Sequence, residues 1–303
     1  MKYLLLIAII ITCSCNKTSD IQIPSTMKPL TGFNLKWRNL PPVSNQQMIN
    51  NIKLLKPKIL RYPGGSITHD WNWQAGLPTI PLSNDVYHPI TDLKLMQQQT
   101  GADILFVLDV VHRTVEDQIQ MMQAAQIPVK YIELGNELYS DDFLSSFPTA
   151  KEYADTVNAW VPKIKAVFPD AKISVVMIGK TVSPTQKPRQ YNWNTLLNNN
   201  ILVPVQAYSY HIYVDTSETV AQRIARFEPV FIQSSDKEVW ITEYSSYDDV
   251  IEHIFELADY VDSISNISMN HTLFNLQGRY SKLTDDGNAL TAEGQAFVMR
   301  VNQ

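Results

Sequence analysis

One feature constrains the fold of this chain more than any other: a strict alternation of two kinds of segment. Short apolar, strand-like runs fall at 30–35 (LTGFNL), 58–65 (KILRYPGG), 102–110 (ADILFVLDV) and 130–137 (KYIELGNE). Four more fall at 172–179 (KISVVMIG), 205–213 (VQAYSYHIY), 238–245 (EVWITEYS) and 271–278 (HTLFNLQG). Amphipathic or polar stretches of helix length follow them, near 44–56, 88–100, 114–126, 149–168, 189–200, 217–232, 248–263 and 288–301. Ser44, Thr114, Thr149 and Thr291 stand where caps or first-turn residues are expected. Eight strands and eight helices in turn predict an α/β chain folded as a single (β/α)8 TIM barrel. The rival is an open doubly wound sheet. It should carry a nucleotide fingerprint after its first strand, and GFNLKWRNLPP contains none.

The first residues read separately. MKYLLLIAIIITCSC has one lysine, an apolar stretch from Tyr3 to Ile11, then small residues and cysteines. That is the layout of a signal peptide, and the apolar run is short for a bilayer span. Ser14-Cys15 resembles the cleavage site of a bacterial lipoprotein, with Cys15 as the lipidated residue; an ordinary secretory signal is the alternative. The expected division is a signal at 1–15, a tether at 16–29 and the barrel at 30–303. The expected location is exported, on a lipid anchor in a bacterial membrane, facing the periplasm or the cell surface. Both cysteines lie in the signal, so the barrel is expected to rely on its core, without disulfides. The net charge of −5, with acids and bases dispersed, argues against a nucleic-acid surface.

In a barrel of this kind, chemistry gathers where strands run into the following loops. Two glutamates take such positions: Glu137 ends the fourth run and Glu243 lies at the end of the seventh, nearly opposite around a barrel. Alone, each has a plain explanation: Glu137 as a solvated helix cap, Glu243 as a salt-bridged strand end. Together they form the pair that glycoside hydrolysis needs, one acid for the leaving oxygen and one carboxylate for the anomeric carbon or a water. Glu133, four residues before Glu137, is expected to point into the barrel and pair structurally with Arg61.

ELGNEL followed by WITEYS resembles clan A of the glycoside hydrolases, the retaining (β/α)8 enzymes. HIY at 211–213 is similar to the clan's His-x-Tyr, and LRYPGGS at 60–66 resembles the second-strand segment of arabinofuranosidase-, heparanase- and β-glucuronidase-like members. The resemblance covers roughly 30–302. It implies a carbohydrate substrate and no cofactor, with Glu137 as acid/base and Glu243 as nucleophile. Asn136 would hold the sugar's 2-hydroxyl. Arg61 and Tyr213 would keep Glu243 ionised, and His211 would support the site. Glu137 would start protonated, its pKa raised by apolar surroundings and by Glu243. Retention implies carboxyls about 5–5.5 Å apart, against roughly 6.5–9.5 Å for inversion. Many clan members place a tryptophan after strand eight; LFNLQGRY has none, and Asn275 or Gln277 would face the cleft instead.

Other residues carry two readings each. Trp71, in HDWNW, stacks on sugar or packs locally; Asp109 and His112 contact substrate or form a capping, hydrogen-bonded pair; Asn34 has the same alternatives. Lys180 and Arg189 bind an acidic or sulfated sugar, or are a solvated basic loop. The six histidines show no metal spacing, so no catalytic metal is expected. A glycan-binding lipoprotein that has lost turnover is the alternative function. An aldolase or metal hydrolase lacks a strand-end lysine or ligand set. The oligomeric state is not legible.

Overall fold

The computed structural model describes residues 28–270, except 84, 233, 235 and 249, together with 283 and 289–302. The segment holding Cys15 and most of the tether therefore lies outside the described residues, as does Gln277. Among those described, no helix is long and apolar enough to cross a membrane.

Eight parallel strands close into the expected barrel: β1 (Leu30–Asn34), β2 (Ile59–Tyr62), β3 (Asp103–Leu108), β4 (Tyr131–Leu134), β5 (Lys172–Val176), β6 (Ala207–Val214), β7 (Glu238–Ser246) and β8 (Ile267–Asn270). Each pairs with its neighbours in chain order, and β1 pairs with both β2 and β8. Around them run α1 (Gln46–Leu54), α2 (Asp92–Thr100), α3 (Val115–Ala124), α4 (Ala150–Val167), α5 (Pro188–Asn200), α6 (Val220–Phe227), α7 (Ile251–Ile264) and α8 (Ala292–Val301).

Local chemistry sets most of these boundaries. Thr114, Thr149 and Thr291 cap α3, α4 and α8 by accepting from backbone N–H groups, and Thr149 completes a capping box with Glu152. A second box, Thr219 with Gln222, opens α6. Each such cap contributes about 1 kcal/mol. Ser44 is not a cap; its neighbour Asn45 accepts from Met48 N and starts α1. The eighth strand lies earlier than the sequence suggests, at Ile267–Asn270, and the run at 271–278 falls outside the described residues. A two-residue-arm hairpin, Trp71–Asn72 with Leu77–Pro78, was not anticipated.

The period-two alternation of the strands builds the interior in layers. Ile59, Leu105, Val107, Ala207, Trp240, Ile267 and Met269 form an apolar plug inside the barrel, separate from the larger core between sheet and helices. Two residues further along their strands stand Arg61, after Ile59, and Thr242, after Trp240. Two residues after Tyr131, which packs on the plug, stands Glu133. The plug thus supports a polar layer, and the site is built on that layer.

Candidate active site

Arg61 is the centre of the polar layer. Its side chain and that of Glu133 are fully buried. Nε donates to Glu133 at 2.7 Å, Nη1 to Asn34 Oδ1 at 2.8 Å and to Glu243 Oε1, and Nη2 to Asn136 Oδ1 at 2.9 Å. Thr242 Oγ1 satisfies the other Glu133 oxygen at 2.8 Å. Buried charges are tolerable when paired and hydrogen-bonded in this way. Burial disfavours the guanidinium's charge, but Glu133 and Glu243 outweigh it and hold the Arg61 pKa above its ordinary value.

Strict alternation would turn Glu243 away from the side that Thr242 faces. A β-bulge prevents this. Tyr210 and His211 of β6 pair with Ile241 and Glu243 of β7, and on the other side Ser268 and Asn270 of β8 pair with Ile241 and Tyr244. Thr242 is the extra residue, so two consecutive side chains of β7 enter the interior, one bonded to Glu133 and the next to Arg61. Bulges re-aim side chains beside active sites in this manner. The Glu243 side chain is 4% exposed and also accepts from the Tyr213 hydroxyl.

Glu137 approaches from the opposite wall. It takes a left-handed φ of 47°, unusual for a non-glycine residue and a conformation held where surrounding structure imposes it. Its side chain, 39% exposed, opens on the cleft. His211 Nδ1 lies 2.9 Å from Glu137 Oε1 and 3.7 Å from Glu243 Oε2. These two oxygens are therefore at most the sum of those distances, 6.6 Å, apart. Tyr139 donates a further hydrogen bond to Glu137 at 3.3 Å. The expectation of a raised Glu137 pKa is not met. Burial pushes it up, but the His211 imidazole outweighs that and holds the carboxyl below its ordinary range. His211 moves the other way: burial opposes its charge, yet Glu243 and Glu137 together hold it above its ordinary value of 6.5.

Two cavities meet at these residues. A small one of about 60 Å³, over Glu243, is lined by Lys36, Gly65, Ser66 and Asn136 among others; a larger one of about 310 Å³ extends toward the loops after β5 and β6. Glu137, Tyr213 and Tyr247 line both. Glu137 thus stands at the junction of the two. Asn136 has no acceptor for its amide nitrogen among the described residues and can offer it to a hydroxyl. Gly65, at φ +57°, keeps the small cavity open, since a Cβ there would sit 3.2 Å from Glu243 Oε1.

Four further residues escaped the sequence reading. Lys36, with a left-handed φ of 48°, lines the small cavity; burial lowers its pKa, partly offset by Glu243. Its only signal was a lone charge after the first apolar run. Tyr247 stacks on Tyr213 at 5.2 Å and 14°, and Tyr139 and Gly65 complete the group. Tyr139 directly follows the quoted motif, but a tyrosine at a strand end is not informative by itself.

Other candidates lie elsewhere in the architecture. Trp71 is not a sugar platform: it is 4% exposed in the core, with its indole N–H donated to Tyr62. Asn34 is fully buried, bridging Arg61 to the Thr242 carbonyl, so it positions Arg61 rather than meeting a ligand. Asp109 is buried and accepts from the backbone N–H groups of Val111 and His112, with the exposed His112 ring 3.3 Å away. Sequence spacing gives no metal set, yet the fold brings His69, Asp109 and His112 within ligand distance of one another. Both His69 nitrogens are already engaged, by Asp109 and by the Asn136 carbonyl. Arg189 is not a ligand group: it clasps the carbonyls of Leu138, Ser140 and Phe147 and lies over Trp193.

A pair of glutamates, one on β7 and one in the loop just after β4, facing each other across the mouth of a barrel narrows the comparison. The family model described as "Glycosyl hydrolase catalytic core" matches residues 110–297. The chain belongs to this family. The glycosyl hydrolase barrel is similar to the α-L-arabinofuranosidase of Thermotoga maritima in its arabinose complex, at 16% identity and a TM-score of 0.68 over 92% of this chain and 72% of that one. It is also similar to a family 128 endo-β-1,3-glucanase of Sorangium cellulosum, at 13% identity and a TM-score of 0.57 over 90% and 98% of the two chains. At such identities the likeness is one of fold. No curated protein matches the chain. Family and fold together make this a (β/α)8 glycoside hydrolase.

Proposed function

We propose that the enzyme is a retaining glycoside hydrolase in which Glu243 attacks the anomeric carbon and Glu137 serves as acid, then base. The observation that carries this is the shared imidazole: one His211 nitrogen lies 2.9 Å from one carboxylate and 3.7 Å from the other. The resulting ceiling of 6.6 Å on that oxygen pair accommodates the ~5–5.5 Å of retaining enzymes and falls at the lower edge of the ~6.5–9.5 Å of inverting ones. Glu243 is deep, immobilised by Arg61 and Tyr213, as suits a nucleophile. Glu137 is open to the cleft, as suits a group that meets first a leaving oxygen and then a water.

The low carboxyl pKa of Glu137 requires the acid's proton to be stored nearby, and His211 is placed to store it. Transfer along the 2.9 Å hydrogen bond gives neutral Glu137 and neutral His211, ready to protonate the leaving group. Glu243 then forms the glycosyl–enzyme bond as the C–O bond breaks. Water, deprotonated by Glu137, releases the sugar in the second step.

This sharing has a pH signature. The imidazole is raised above 6.5, so the pair keeps its proton where a free imidazole has lost it. Activity is expected to persist past that pH and fall as pH rises through the raised value. In His211→Asn the proton must stay on Glu137 alone, and the alkaline limb of kcat/KM should move to lower pH. A limb that does not move rules out proton storage on His211.

The substrate panel starts from arabinofuranosides and β-1,3-glucans, the substrates named for the structural neighbours. Hydrolysis of one class by the wild type, with natural-substrate kcat reduced on the order of 10²–10⁴-fold in Glu137→Gln, supports the acid/base assignment. Equal rates in the two proteins defeat it. We further propose that the chain is exported and lipidated at Cys15. Metabolic labelling with a radioactive fatty acid should mark the wild type and not Cys15→Ala; labelling of both excludes that site.

A further inference from the structure

We propose that the larger cavity is a subsite for an anionic sugar, one bearing a carboxylate or a sulfate, on the leaving-group side of the scissile bond. The inference rests on the assignment of Glu137 as acid/base, since that places the cavity beyond the bond from Glu243. Four cations line the space: Lys180, Lys187, Arg223 and Arg226. Two of them have acidic partners. Arg226 is 2.7 Å from Glu218, and Lys187 is 4.0 Å from Asp141.

The other two are hydrogen-bonded to no carboxylate among the described residues. Arg223 is 2% exposed in the wall; it donates Nε to the Tyr213 carbonyl and Nη2 to the Gly179 carbonyl, while Nη1 has no acceptor among the described residues. Lys180 makes no hydrogen bond or ion pair among the described residues and reaches into the opening. Its place is fixed by the backbone before it, because a Cβ on Gly179 would lie 2.3 Å from the His211 carbonyl oxygen. Burial lowers the Lys180 pKa, and Arg223, Arg226 and Lys187 lower it further, against a smaller opposing pull from Glu137. Of the acids in the lining besides Glu137, Glu218 is bonded to Arg226 and also acts on Arg223, and Asp215 is exposed at the rim.

A neutral sugar would leave Lys180 without a bonded anion. A carboxylate or sulfate would take a charge-assisted hydrogen bond from Lys180. The cavity, about 310 Å³, falls within the size range of small-ligand sites, roughly 300–1,000 Å³, and Tyr247 offers an aromatic wall.

Isothermal titration of the full chain with glucuronic acid, glucose 6-sulfate and glucose tests this. The first two distinguish carboxylate from sulfate. At least one charged sugar should bind roughly ten-fold more tightly than glucose, the scale of one hydrogen bond to a charged group. Lys180→Met should abolish that preference, Lys180→Arg should keep most of it, and Lys36→Met should leave it intact. Equal affinity for charged and neutral sugars, failure of both charged sugars to bind, or a preference that follows Lys36 instead of Lys180 overturns the proposal. Hydrolysis of neutral glycosides without any charge preference would remove this inference and leave the glycosidase standing. Charge preference in a protein that hydrolyses nothing would overturn the glycosidase and the cavity's place on the leaving-group side with it, and leave only an anion-binding site.

Discussion

Glu243→Gly is expected to lose on the order of 10⁴-fold or more in kcat, the scale on which removal of a covalent nucleophile acts, and to recover part of it in azide. The recovery is the informative half. Glycine leaves a gap beneath the anomeric carbon, and Glu137 is still present to protonate the leaving group. Azide entering the gap forms the N–C bond as the C–O bond breaks, giving a glycosyl azide of inverted configuration. A purely positioning Glu243 would give a variant that azide does not rescue. A variant with wild-type turnover would exclude any catalytic role.

Arg61→Met should have the largest effect on stability. The guanidinium is the shared partner of Glu133 and Glu243, whose side chains are 0% and 4% exposed. Removing it takes from both carboxylates the guanidinium that they share, and leaves Glu133 with the Thr242 hydroxyl alone of the two side chains bonded to it. Breaking a buried pair in this way costs about 3–5 kcal/mol, since the stranded charge cannot reach water. In a domain of this size that lowers Tm by roughly 10 °C, read from thermal unfolding at pH 7. Adding Glu133→Gln to Arg61→Met should restore part of the loss, because one stranded charge is gone. Arg61→Met with an unchanged Tm would show that the polar layer does not depend on its central cation.

The sequence made the barrel legible because alternation of apolar and amphipathic runs is a statement about burial, and burial decides the layers. It also made Glu137 and Glu243 legible as strand-end acids, and Arg61 with Glu133 as an interior pair. Other features were hidden. The bulge at Thr242 cannot be seen in one strand, since it is a mismatch between β7 and both its neighbours. Trp71 looks like a sugar platform until the fold wraps it in core, because an aromatic residue in a loop suits both fates. The proton balance was misjudged because the sequence shows apolar neighbours of Glu137 but not the imidazole from β6 that overrides them. Lys36, Tyr139 and Tyr247 come from separate loops and share a cleft only after closure. Lys180 was visible as a basic residue, but the unpaired guanidinium nitrogen behind it was not.

The central claim is double displacement at Glu243. It is tested most directly by following the anomeric proton of the product by NMR in the first minutes of hydrolysis, before mutarotation, on whichever glycoside the panel identifies. The account predicts that the first sugar released has the same anomeric configuration as the substrate. An inverted first product would contradict it and make Glu243 a base acting on water.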